Sequence, residues 1–130
     1  PRSERVVYCD GKADRSTGKE LQVYGDANLL TLALINLIRN ALQAVEGQED
    51  GIVRVDTCAG ATGHLLIIIT DNGPGIPPER LSAIFTPFFS TKSGGSGIGL
   101  PISQRIMQLH GGQLSVSSIP NVRTEFRMEF

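Results

Sequence analysis

Asn36 and Asn40 stand four apart in the run "INLIRNALQAV", and Gln43 follows three residues later. Four-residue spacing stacks two side chains on one side of a helix. Asparagine is a mediocre helix former, because its amide competes with the backbone for hydrogen bonds. A helix that keeps such a pair either carries solvated or capping amides or offers neutral oxygens to a ligand. Asp71 is the second group of interest. It closes an apolar run and opens "DNGPGIPP", with Gly73 and Gly75 two and four residues on. It reads either as a turn-stabilising aspartate before Asn-Gly or as an acceptor at the floor of a site. The third group is "GGSGIGL", residues 94–100. No Gly-Lys-Ser/Thr follows, so it is not a Walker loop. Its G-x-G-x-G spacing, led by a loop and not a strand, is not a dinucleotide fingerprint either. Its backbone N–H groups converge on a helix N-terminus, a ready seat for phosphate, although glycine loops are as often only loops.

The elements that must position these groups follow from periodicity. "ERVVYC" and "KELQVY" read as strands joined by the polar "DGKADRSTG". Asp26 offers an N-cap to a helix running to about Val45. Spaced at about 100° per residue, Leu30, Leu34, Leu37, Ile38, Ala41 and Val45 form its core stripe. Asn36, Asn40 and Gln43 gather on a different side. "GQEDG" ends the helix; "IVRVDTCA" and "HLLIIITD" are strands with "GATG" as a tight connection. "PPERLSAIF" predicts a short helix, and Thr86 to Gly97 a mobile loop without periodicity. "IGLPISQRIMQLHGG" is a helix that tolerates Pro101 in its first turn. "GQLSVSS" and "RTEFRMEF" are closing strands, the second alternating through Thr124, Phe126, Met128 and Phe130. Runs of strands between helices predict an α+β protein: a two-layer α/β sandwich, a mixed sheet with three helices on one face.

Bulk properties narrow the function. The chain has 130 residues, 40% of them apolar and 19% charged, which fits one globular domain and no disordered tail. A net charge of −1 with mixed signs gives no strong field for nucleic acid or an anionic membrane. Aromatics at 5% and the absence of tryptophan remove the stacking platforms of single-strand binders. No apolar run reaches the roughly 18 residues of a membrane span. Cys9 and Cys58 lie far apart in strand-like segments without metal spacing and read as reduced core thiols of a cytosolic protein.

Taken in order, four segments resemble the boxes of the catalytic, ATP-binding domain of sensor histidine kinases. This domain belongs to the superfamily shared with DNA gyrase, the ninety-kilodalton heat-shock chaperone and mismatch-repair ATPases. "NLIRNALQA" is similar to the asparagine box, "DNGPGI" to the first glycine box, "IFTPFFSTK" to the phenylalanine box and "GGSGIGLPIS" to the second glycine box. "QLHGGQLSV" is also typical. The similarity covers roughly Leu21 to Phe130, and the wording of "NLIRNALQAV" and "PFFSTK" resembles the nitrogen-regulation branch.

The resemblance implies a role for each residue. Asn40 matches the asparagine that coordinates Mg²⁺ bridging the triphosphate; such a metal wants hard oxygen ligands and keeps several waters. Asn36 sits where ATP-hydrolysing cousins carry a glutamate base, and an amide cannot take a proton from water. Gln43 is expected near a phosphate. Asp71 matches the residue that accepts from the adenine amine, with Thr124 completing a water network around it. Gly73 and Gly75 let backbone approach the purine and Ile76 packs on it. Gly95, Ser96, Gly97, Ile98, Gly99 and Leu100 match the phosphate wrap. Lys92 is either a mobile counter-charge or an exposed loop lysine. Phe85, Phe88 and Phe89 either give the ATP lid loop, from Thr86 to Gly97, an apolar foot that docks on the domain or a partner helix, or pack in the core. Where the family places a glycine pair before the last strand, this sequence has Asn121 and Arg123, which stiffens that turn and bears on where Thr124 sits.

The family's phosphoacceptor lies in a His-Glu/Asp-x-x-x-Pro setting on a helix. His64 and His110 do not fit that setting, so both are read as structural. Residues 1–130 are expected to be one catalytic domain without the dimerisation and phosphoacceptor domain. The implied cofactors are ATP and Mg²⁺. The implied partners are that dimerisation domain and a downstream response regulator, with no nucleic acid and no direct membrane contact. The implied place is the cytoplasm, free or as the cytoplasmic part of a membrane-bound sensor. A nucleotide-gated binding module and a slow ATPase are the alternatives.

Overall fold

The fold is described from a computed structural model, in full for residues 25–59, 64–86 and 99–130 and as backbone for 5–9. Its elements in chain order are β1 (Arg5–Cys9), α1 (Ala27–Ala44), β2 (Ile52–Ala59), β3 (Leu65–Asp71), α2 (Pro78–Leu81), α3 (Gly99–Leu109), β4 (Gln113–Ile119) and β5 (Arg123–Glu129). The expected "KELQVY" strand and the "GATG" connection lie outside the described residues.

Helix α1 begins where Asp26 can cap it. The Asp26 backbone is extended, and its Oδ1 accepts from the N–H groups of Asn28 (2.9 Å) and Leu29 (3.1 Å). Such a cap is worth about 1 kcal/mol. The helix ends at Val45, and Gly47, with φ of 80°, turns the chain away. Leu37, Ala41 and Val45 are fully buried as the stripe predicts, while Leu30, Leu34 and Ile38 pack against the core partly covered. Ala33 is also fully buried. Small size is the reason: α3 crosses α1 there, and the Ser103 hydroxyl donates to the Ala33 carbonyl at 3.2 Å.

The five strands among the described residues form one sheet in the order β1-β2-β3-β5-β4. β1 runs parallel to β2 and every other pair is antiparallel, so the sheet is mixed, as expected. α1 lies over β2 and β3, α3 lies over β4, and the two helices pack together. Between the layers, Val53, Ile69, Phe126 and Met128 from the sheet meet Leu37, Val45 and Met107 from the helices. Each such buried side chain contributes about 1.5–3 kcal/mol.

Two sequence expectations change. The helix expected over "PPERLSAIF" shortens to Pro78–Leu81. The N–H groups of Arg80, Ala83 and Thr86 reach back three residues, to Pro77, Arg80 and Ala83, at 2.9–3.0 Å. A segment this short does not sustain an α-helix and closes in tighter turns. Cys58 is half-buried and free, but it alternates with Val53 and Val55 and so shares the outer face of the sheet with Arg54 and Asp56. It is therefore not a core thiol. His110 is structural, as expected, and acts through hydrogen bonds. Its Nδ1 faces the Ile106 carbonyl at 2.7 Å, while Nε2 accepts the Asp26 N–H at 3.0 Å, latching the end of α3 to the start of α1.

Candidate functional site

One end of the site is built where β3 and β5 finish side by side. Asp71 and Thr124 are register partners in the sheet, exposed by only 2% and 3%. Both lie on the core-facing side, where an apolar residue would be the cheaper choice, and buried polar groups require partners. Asp71 Oδ1 accepts the Gly73 N–H at 2.9 Å. The turn-stabilising reading of this aspartate is thus real, and the same carboxylate is buried at the end of β3 opposite Thr124. Gly73 has no room for a side chain: a Cβ would stand 2.7 Å from the Ala44 carbonyl oxygen and 2.9 Å from Asp71 Oδ1. Gly75 takes φ of 80° and presses on Pro120 and Ser118. Ile76 packs partly buried against the core.

The β4–β5 turn answers the question raised by the missing glycine pair. Ile119 accepts the Val122 N–H at 3.0 Å around Pro120 and Asn121, and Asn121 takes φ of 63°. Proline followed by a left-handed residue is the type II turn pattern, and asparagine tolerates that conformation better than most side chains. Asn121 N–H also donates to the Pro74 carbonyl at 2.7 Å, so the hairpin holds the first glycine segment. Thr124 consequently lands opposite Asp71.

The other end of the site runs along α1. Asn36 and Asn40 are half-buried and Gln43 is exposed. Asn36 Nδ2 donates to the Gly99 carbonyl at a long 3.4 Å, and its side chain lies against Gly99 itself. The first residue of α3 is therefore beside Asn36, while Gly73 touches α1 one turn beyond Asn40, at Ala44. Asn40 lies between the two glycine segments. Its amide makes no hydrogen bond to another described residue, which leaves it available to a ligand. No group of three or more metal-ligating His, Cys, Asp or Glu side chains occurs among the described residues. Leu100 packs partly buried behind Gly99. Lys92, Gly95, Ser96, Gly97 and Ile98, with Phe88, Phe89 and the lid loop, lie outside the described residues; Phe85 packs against the core.

Three contributors escaped the sequence reading. Asn72 staples the α1–β2 connection to the end of β3: its Oδ1 accepts the Ile52 N–H and its Nδ2 donates to the Asp50 carbonyl, both at 2.7 Å. Gln48 Nε2 donates to the Asn72 carbonyl at 3.0 Å. Ser118 Oγ accepts the Ile76 N–H at 2.7 Å and lies 3.1 Å from Thr124 Oγ1. A signal existed for the serine, since Leu114, Val116 and Ser118 alternate at period two. A hydroxyl continuing an inward-facing row asks for a partner.

A buried acceptor with hydroxyls at one end, and amides with a helix N-terminus at the other, suit an elongated ligand. Its head would be planar and hydrogen-bonding, its tail anionic.

Residues 25–130 match the family described as "Histidine kinase-, DNA gyrase B-, and HSP90-like ATPase". The chain is 42% identical over 98 residues to the sensor histidine kinase ZraS of Salmonella typhimurium, covering 75% of this chain and 21% of that protein. It is 38% identical over 131 aligned positions to the sensory histidine kinase/phosphatase NtrB of Vibrio alginolyticus, covering 94% of this chain and 37% of that one. It thus spans a minor part of the length of these relatives. Among solved structures, the nucleotide-free catalytic domain of histidine kinase ThkA superposes with a TM-score of 0.77 at 29% identity, covering 98% of this chain and 79% of that chain. Full-length ShkA in complex with AMPPNP superposes with a TM-score of 0.80 at 25% identity, covering 97% and 25% respectively.

Proposed function

This chain belongs to the family of histidine kinase-, DNA gyrase B- and HSP90-like ATPases, its relatives there being sensor histidine kinases, and from that premise we propose that residues 1–130 form a catalytic domain that binds Mg-ATP and donates the γ-phosphoryl group to a histidine on a separate dimerisation domain, upstream of a response regulator. The observation that carries the proposal is the bracketing of α1: Gly99 against Asn36, Gly73 against Ala44, and Asn40 between them. Adenine enters at Asp71, Thr124 and Ile76, and the triphosphate lies along the polar side of α1 toward the start of α3. Gly73 and Gly75 admit the purine, and Gly95, Ser96, Gly97, Ile98, Gly99 and Leu100 wrap the phosphates, with Lys92 and Gln43 as outer contacts.

The residues fit Mg²⁺. Asn40 has an uncommitted amide oxygen among the described residues, a hard neutral donor of the kind this ion accepts when phosphates complete its shell. When bound, Mg²⁺ neutralises charge on the triphosphate. A neutral ligand avoids the repulsion that a carboxylate beside a triphosphate would add without metal. Asn36, half-buried beside the start of α3, carries an amide that cannot act as a general base. It therefore holds ATP without activating water, which suits transfer to a protein. Among the described residues no helix is long and apolar enough to cross a membrane, and cytoplasmic placement of the domain belongs to this same proposal.

The test mixes the chain with a separately produced helical hairpin bearing the acceptor histidine, Mg²⁺ and γ-labelled ATP. Label is expected on the hairpin histidine, with free ATP turning over slowly in its absence. Brisk hydrolysis without the hairpin would contradict the role given to Asn36. Bound ATP with no transfer would instead indicate a nucleotide-gated binding module.

A further inference from the structure

We infer that Ser118 is a positioning residue for the purine end of the site, fixing both the first glycine segment and the direction in which Thr124 presents its hydroxyl. The inference rests on the nucleotide reading above and deepens it. Three groups surround Ser118 Oγ: the Ile76 N–H at 2.7 Å, the Arg123 carbonyl at 3.2 Å and Thr124 Oγ1 at 3.1 Å. A serine hydroxyl owns one proton and two lone pairs. An amide N–H can only donate, so Ile76 takes one lone pair. A carbonyl can only accept, so Arg123 takes the proton. The lone pair that remains faces Thr124, which must then donate its own proton to Ser118. Thr124 is left with acceptor lone pairs alone, next to the buried Asp71 carboxylate with which it shares its place in the ladder.

The purine end of the proposed site thus presents acceptors from two strands. That polarity welcomes an exocyclic amine, or a water that donates, and opposes a carbonyl oxygen, which would leave buried acceptors facing one another. Ser118 sets it without touching the ligand. The close approach is possible because Gly75 lacks a side chain: a Cβ there would stand 3.0 Å from Ser118 Oγ and 2.9 Å from Pro120 Cα.

The experiment measures ATP affinity, thermal melting and amide hydrogen exchange for the chain and for Ser118→Ala, Thr124→Val and the double variant. Ser118→Ala should weaken ATP about tenfold and accelerate exchange at the Ile76 amide about tenfold or more, with the β3–β5 ladder amides unchanged. Because Ser118 acts on the ligand largely through Thr124, the double variant should bind ATP about as weakly as the weaker single variant. Fully multiplicative losses in the double variant, or unchanged ATP affinity in Ser118→Ala, would overturn the inference, as would an Ile76 amide equally slow with and without the hydroxyl. If the unsubstituted chain binds no ATP, the nucleotide reading fails on its own, and the exchange at Ile76 still reports whether Ser118 holds the glycine segment.

Discussion

Asp71→Asn is expected to weaken ATP binding about thirty- to a hundredfold while changing unfolding free energy by less than about 1 kcal/mol. The substitution keeps shape and volume. The amide oxygen of the variant can still accept the Gly73 N–H that Asp71 Oδ1 holds at 2.9 Å, so the turn survives. What changes is the second atom of the group, from an acceptor to an N–H donor. Placed against the adenine amine, donor meets donor, and a charge-assisted hydrogen bond worth about 1.5–3 kcal/mol is lost. Calorimetric titration beside a denaturant melt separates the two quantities. Equal losses in both would assign Asp71 to the turn alone.

Gly73→Ala is expected to couple what Asp71→Asn separates. The new methyl would stand 2.7 Å from the Ala44 carbonyl oxygen, 2.9 Å from Asp71 Oδ1 and 3.1 Å from the Ala44 carbonyl carbon. Two of these are backbone atoms in the last turn of α1 and cannot step aside cheaply. Overpacking of this kind costs about 1–3 kcal/mol. The glycine segment can relieve it only by moving away from α1, which drags Asp71 Oδ1 from its seat. The variant should therefore lose about 2 kcal/mol of stability and at least tenfold in ATP affinity, measured by urea unfolding and titration on the same preparation. Wild-type affinity in a destabilised Gly73→Ala would show that the contact with α1 does not set the position of the Asp71 carboxylate.

These two variants also mark how much of the molecule is legible in its sequence. Helix α1 was legible end to end, because an aspartate cap, an apolar stripe and a terminating glycine are local features written in consecutive residues. The two strands on either side of "GATG" were legible too, since β2 spans Ile52–Ala59 as read and β3 starts one residue after His64. What local pattern could not supply was contact across long separations. Ala33 is buried by α3, seventy residues away in the chain, and the His110 latch reaches back eighty-four residues to Asp26. Neither is encoded in the neighbourhood of the residue concerned.

The candidate site follows the same division. Asp71, Gly73 and Asn40 announce themselves by type and spacing, whereas Ser118 hides in "SVSS", where one serine of several acquires a role only through its strand partner Thr124. Asn72 was visible as part of a turn, but not as the staple joining Asp50 and Ile52 to the end of β3. Asn121 was visible as a departure from the family pattern; its left-handed backbone shows how the departure is accommodated.

The measurement that bears most directly on the central claim is a titration of the folded chain with ATP, ADP and GTP, with and without Mg²⁺. ATP and ADP should bind, ATP more tightly when Mg²⁺ is present, and GTP should bind at least about a hundredfold more weakly because its carbonyl faces the buried acceptors of Asp71 and Thr124. Equal affinity for ATP and GTP, or no binding of either by folded material with Mg²⁺ supplied, would contradict it.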